Sequence, residues 1–141
     1  MPQTHQRLIA GGTVNPFRFV MMSTAADHTG LQATANAELV GIAGEETKFA
    51  PLDDLVTTNP HATVGQPLNV RGPGEEALVE AGAAFSAGVR LKADTNGKAV
   101  AVATSGTTNQ NYGAIAQQAA NAEGDLVRVS VELGTVRPAI A

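Results

Sequence analysis

The sequence predicts an all-β fold, a small barrel or sandwich of many short strands, on three observations. The run Leu126–Leu133 (LVRVSVEL) alternates β-branched and apolar residues with polar ones, the period-2 pattern of a half-buried strand. Val89, Leu91 and Ala93 alternate with Arg90, Lys92 and Asp94, meet Asn96-Gly97, and are followed by Ala99-Val100-Ala101-Val102. Asn-Gly supplies two residues tolerant of positive φ, as a tight type I′ turn requires, so 89–103 is predicted to be a β-hairpin. Helix, finally, has little room: only 75–85 and 116–123 (AQQAANAE) offer a turn or two, and Gly82 weakens the first.

Taken in order, residues 1–16 contain Gly11, Gly12 and Pro16 and few periodic apolar positions, so they are expected to form an extended N-terminal arm. Phe17–Met22 (FRFVMM) is a first strand, with Phe17 and Phe19 on one face. Small and polar residues dominate 23–37, with a turn at Asp27-His28-Thr29-Gly30. Glu38–Ala43 is strand-like, and 44–66, with Pro51, Pro60 and Gly65, forms one long excursion. Leu68–Val70 is a short strand stopped by Gly72-Pro73-Gly74. After the hairpin, 104–111 is a polar loop and Tyr112–Ala116 restarts a strand, while Gly134 and Pro138 close the last one. A weak internal echo sets Gly41-Ile42-Ala43 before Gly65–Val70 and Gly113–Ala116 before Gly124–Val129. The organisation expected is an arm, 1–16, and a single β-rich domain, 17–141.

With 141 residues, a compact domain should bury roughly 68–70% of its unfolded surface and needs no staple. No cysteine is present, which removes disulfides, thiolate nucleophiles and cysteine-ligated metals. The net charge of -4 and six scattered arginines (Arg7, Arg18, Arg71, Arg90, Arg128, Arg137) argue against a nucleic-acid partner, which would ask for a basic face. Charged residues make up 16%, below the roughly 25% of ordinary domains. Neighbours can cover such a surface with few ions to desolvate, which suggests an assembled state. No run approaches the ~18 apolar residues of a spanning helix, and no signal peptide is recognisable, so no membrane partner is expected.

Catalytic patterns are missing. His5, His28 and His61 show no metal-ligand spacing. Asp27-His28 with Ser105 could be drawn as a triad, but Thr104-Ser105-Gly106 lacks the glycine of a nucleophile elbow. Glu45-Glu46 and Asp53-Asp54 are adjacent carboxylates, which on a strand or loop are expected to diverge towards solvent, and 44–66 leaves room for weak calcium binding. Gly11-Gly12-Thr13 and Arg71–Gly74 match no phosphate loop. The aromatics Phe17, Phe19, Phe49, Phe85 and Tyr112 do not interleave with basic residues as a single-strand-binding platform would. No catalytic, cofactor-binding or metal-binding residues and no cofactor are therefore assigned, and the chain is expected not to be an enzyme.

From Ala81 onward a resemblance appears. Gly82-Ala83-Ala84-Phe85-Ser86-Ala87-Gly88-Val89 runs into Asp94, Asn96-Gly97 and Val100; Tyr112-Gly113-Ala114-Ile115-Ala116 then runs into Ala119-Ala120 and Gly124-Asp125-Leu126-Val127-Arg128-Val129. Across about 80–133 this resembles the capsid decoration (cement) proteins of tailed bacteriophages, similar in kind to the phage lambda head decoration protein. Phe17–Val20 and Val40–Ala43 match that family in style, and the long 44–66 insert departs from it. The resemblance implies a β-tulip-like domain with short helical turns. It also implies a virion protein, assembled in the host cytoplasm, that binds the outer capsid surface and bridges major capsid protein subunits as a homotrimer. Many moderate contacts suffice there through avidity, and an arm over 2–16 that orders on docking would extend the footprint. The alternative is another virion β-module, a tail or fibre component. A small enzyme or ligand-binding barrel is least favoured, since it needs convergent polar groups around a pocket.

Overall fold

Strands whose side chains are buried on both faces organise the molecule. The computed structural model describes residues 5–44, 62–103 and 108–136, and the ordered elements among them are all strand. The first five are β1 (His5–Ala10), β2 (Phe19–Met22), β3 (Thr29–Gln32), β4 (Gly41–Ala43) and β5 (Pro67–Arg71), closed into a barrel in the order β1-β3-β2-β4-β5. The other five are β6 (Glu76–Glu80), β7 (Arg90–Ala93), β8 (Ala99–Ala101), β9 (Gln110–Ala116) and β10 (Leu126–Val136), in the order β6-β10-β9-β7-β8. A parallel bridge from Ala81, just past β6, to Ala99 on β8 joins the two ends of this sheet and curls it back on itself.

The barrel encloses Leu8, Ala10, Val14, Val20, Ala43, Ala62, Leu68 and Val70. A larger core, with Val79, Leu91, Ala114, Val127, Val129 and Val131 at its centre, fills the curled sheet. Phe19 and Ile42, cross-strand partners on β2 and β4, belong to this second core although both strands are part of the barrel. Val20 and Ala43, the next residue along each, point into the barrel. One pair of strands thus walls both cores, which is why FVMM and GIA are apolar runs rather than alternating ones. β10 serves one core only, so it alternates: Val127, Val129 and Val131 are buried while Leu126, Arg128 and Glu132 face outward.

Several expectations need correction. Residues 1–16 are not an arm throughout. His5–Ala10 pairs antiparallel with β5 and parallel with β3, and Val14 bridges Ala62. The strand was hidden because its pattern is only three residues long, Leu8 in, Ile9 out, Ala10 in, before two glycines. The short helical turns are missing among the described residues. Over 75–85 the chain forms β6, with Val79 and Ala81 buried at period 2, and around 116–123 Ala120 pairs with Phe85. Helix propensity of Glu and Ala is a weak preference that tertiary pairing overrides. Thr29–Gln32 is a strand within the stretch read as polar turn, and β10 runs past Gly134 to Val136 across a register shift between Val131 and Gly134.

The 89–103 hairpin is present, with Leu91↔Ala101 and Ala93↔Ala99 in register, but its turn is not type I′. Ala93 and Ala99 flank five residues, Gly97 N–H donates to the Asp94 carbonyl at 3.1 Å, and Gly97 alone of the Asn-Gly pair has positive φ, 76°. That is the wider turn with glycine in the left-handed position. Asp94 Oδ1 holds it by accepting from the Asn96 and Lys98 amides at 2.8 and 2.9 Å.

Phe19→Ala is expected to cost about 3–5 kcal/mol, because it empties a fully buried site between the two halves. Chemical denaturation followed by far-ultraviolet dichroism measures it, and a loss below 1 kcal/mol would contradict the shared-wall packing.

Candidate functional site

The chain turns sharply just before β2. Phe17 adopts φ 64°, in the left-handed region, and the three residues 17–19 each reach from the barrel to the curled sheet. The Glu80 N–H donates to the Phe17 carbonyl at 2.9 Å, and the Phe19 N–H donates to the Gly97 carbonyl at 2.8 Å. Between them, Arg18 donates through Nη1 to the Asn96 carbonyl at 2.9 Å and pairs through Nη2 with Glu80 at 3.5 Å. Lys98 continues the chain of charges to Glu80 at 3.2 Å and Glu123 at 3.3 Å. The Arg18 and Lys98 side chains are 12% and 17% exposed, so these ions lie under partial cover. Arg18 Nε is buried with no partner among the described residues. The hydrogen bond from Lys98 to Glu80 is the main cause raising the lysine pKa above its ordinary 10.5, opposed by burial.

Beside this junction a cleft of about 260 Å³ opens between barrel and sheet, lined by Phe17, Ala43, Gly44 and Arg71 on the barrel side and by Glu76, Ala77, Leu78 and Arg128 on the sheet side. Arg71 is paired with Glu75 at 3.4 Å. Phe17 therefore does not share a strand face with Phe19, as its spacing suggested: the positive φ turns it out of register, half-buried at the cleft wall, while Phe19 enters the core. A second, shallow depression lies between 84–87 and 119–121.

The residues weighed for chemistry are not brought together. His5 lies on β1, and His28 is an exposed turn residue with φ 52°. His61, Ser105, Glu45-Glu46, Asp53-Asp54 and Phe49 fall outside the described residues. Among those described, no three His, Asp or Glu side chains cluster as a metal site would need. Gly72-Pro73-Gly74 is the turn from β5 to β6, closed by Glu75, whose N–H donates to the Gly72 carbonyl at 3.2 Å and whose Oε1 accepts from the Gly72 amide at 3.2 Å. Tyr112 lies under Arg90, 5.2 Å from guanidinium carbon to ring centre. No helix among the described residues is long and apolar enough to cross a membrane.

The junction and the cleft escaped the sequence reading because their members lie far apart in the chain. Arg18 and Asn96 are 78 residues apart. The one local signal was the pairing of Asp94 with Asn96-Gly97, which marks the turn against which Arg18 docks.

The architecture defines a class first: a five-stranded closed barrel sharing a wall with a curled five-stranded sheet. No family model matches the chain, and no curated protein matches it. Among solved structures it is similar to the head fiber gp8.5 N base of bacteriophage phi29, with a TM-score of 0.59 at 18% sequence identity. That match covers 91% of this chain and 92% of the other, so the likeness extends over both halves of the fold.

Lys98→Met is expected to lower stability by about 0.5–1 kcal/mol near neutral pH, since exposed ion pairs contribute little and partial cover adds to it. A group whose folded pKa is raised stabilises fully below its unfolded value and ceases to do so as pH rises through the folded one. The difference between wild type and Lys98→Met should hence persist up to about pH 10.5 and shrink above it. Urea midpoints of both proteins from pH 7 to 11.5 measure this, and a constant difference across that range would count against the network.

Proposed function

We propose that this chain is a non-enzymatic structural protein of a tailed-phage virion that seats on the outer surface of the head. The observation carrying the proposal is the fold likeness to a head fiber base, which spans nearly the full length of both chains. The low charge content, 16%, supports it, because a surface covered by many neighbours loses least when few ions are desolvated. The resemblance of 80–133 to decoration proteins points to the same location from a different direction.

Two forms of this reading differ in what the seated protein does. As a decoration protein it would bridge major capsid protein subunits, as a homotrimer, and stabilise the expanded shell. As a fibre base it would occupy fewer positions and carry an appendage, and the phi29 neighbour favours this second form. Deleting residues 2–16 cannot distinguish them, because it removes β1 and opens the barrel.

Co-sedimentation of the purified protein with expanded heads lacking it, beside isolated tails as a control, is the direct test. Saturable binding to heads and not to tails is expected. Near one copy per capsid subunit, with improved heat resistance of the particle, identifies decoration; sparse occupancy without stabilisation identifies a fibre base. Binding to tails alone, or to neither, would reject a head-surface role.

A further inference from the structure

Among the described residues β6 is an edge strand, paired along its length with β10 and bridged to β8 only just past its end, at Ala81. The register pairs Ala77 with Val129 and Val79 with Val127, and Ala81 N–H donates to the Asp125 carbonyl while Val131 N–H donates to the Glu75 carbonyl. Residues 75, 77, 79 and 81 thus turn their backbone groups toward β10. The alternate residues Glu76, Leu78 and Glu80 turn theirs the other way. At Glu80 the outward N–H is taken by the carbonyl of Phe17. The chain begins to add a strand to this edge at Phe17 and abandons it, because the positive φ there turns it toward β2. The outward N–H and C=O of Leu78 and Glu76 have no partner among the described residues, and they open into the cleft lined by Phe17, Arg71 and Arg128.

We propose that the β6 edge within this cleft receives an extended segment of a partner protein as an added strand, the segment carrying an acidic and a basic residue two positions apart. Unpaired strand edges recruit polypeptide backbone, since a row of donors and acceptors matches no other common ligand so well. Wall chemistry sets the side-chain pattern. Arg128 stands opposite Leu78 on the sheet's outer face, and Glu76 lies two residues along the same face. No ion pair engages Arg128 or Glu76 among the described residues, whereas Arg71 is held by Glu75. An added strand presents alternate side chains to one face, so an acid opposite Leu78, reaching over it to Arg128 one strand further in, and a base directly opposite Glu76 fall two residues apart. The Phe17 carbonyl blocks continuation past Glu80, which limits the added strand to the Glu76–Leu78 stretch and makes single-site affinity modest. Multiple copies on a surface would compensate. This inference concerns how a protein partner is gripped and stands apart from which part of a virion supplies it.

The test is amide NMR of the full chain titrated with a five-residue capped peptide, Val-Asp-Val-Lys-Val. Three controls accompany it: the same peptide N-methylated at its central valine, a peptide with both charges lysine, and the Arg128→Glu variant, whose exposed position keeps the fold intact. Saturable shifts at Leu78 and Glu76, loss of binding on N-methylation, and weakening of about threefold in Arg128→Glu, with improved binding of the all-lysine peptide, are expected. The proposal is overturned if the peptide leaves these amides unmoved, if the N-methylated peptide binds equally, or if the charge swap has no effect. Slow hydrogen exchange at Leu78 in the free monomer would also overturn it, as the edge would then already be occupied. Protection that grows with protein concentration alone would assign the edge to a second copy instead.

Discussion

Everything in this fold depends on three consecutive residues, Phe17, Arg18 and Phe19, being held against the curled sheet while belonging to the barrel. Two backbone hydrogen bonds, to Glu80 and Gly97, fix the segment at both ends. The Phe19 ring fills the larger core, and Arg18 lies between as a charged strut to Glu80 and the Asn96 carbonyl. Backbone bonds set direction, the ring provides apolar burial, and the ions set register. Each acts on a different degree of freedom, and Asn36, bonded to Ala93, Asn109 and Asn111, adds a second tie between the two β-units.

The same segment shapes the surface. A residue with φ 64° costs local strain, and a side chain kept there signals that the surrounding structure dictates the turn. Here the turn diverts the chain from the β6 edge into β2, which leaves the cleft between the two halves. Glycine acts in concert nearby: Gly97, with φ 76°, lets the hairpin turn fold under the Phe19 backbone, where a larger residue would press on the carbonyls of Phe19 and Ala33. Stability and surface chemistry therefore have one origin. Covering two cores with one pair of strands leaves an edge elsewhere, at β6, that no described residue covers.

The proposed head-surface role suits this economy. Small β-units with partly covered ions at their junction, a low charge content and an open edge among the described residues can associate with repeated neighbours without a large continuous interface. The phi29 head fiber base shows that the whole arrangement, both halves together, recurs in a second chain at 18% identity.

The sequence alone determined the fold class, because alternation is a local property. DLVRVSVEL, the 89–103 hairpin, Tyr112–Ala116 and the Gly72-Pro73-Gly74 stop are legible from neighbours one and two residues away, and the structure contains each. The absence of cysteine and the modest charge were equally readable. Tertiary structure alone decided the rest. It made a strand of His5–Ala10, whose short pattern acquires meaning only beside β5, and of Glu76–Glu80, whose helix-forming residues yield to pairing with β10. It also assembled the Arg18–Glu80–Lys98 junction and the cleft, whose members come from opposite ends of the chain. Periodicity reports which face of a strand is buried; it carries no information about which distant strand lies across from it.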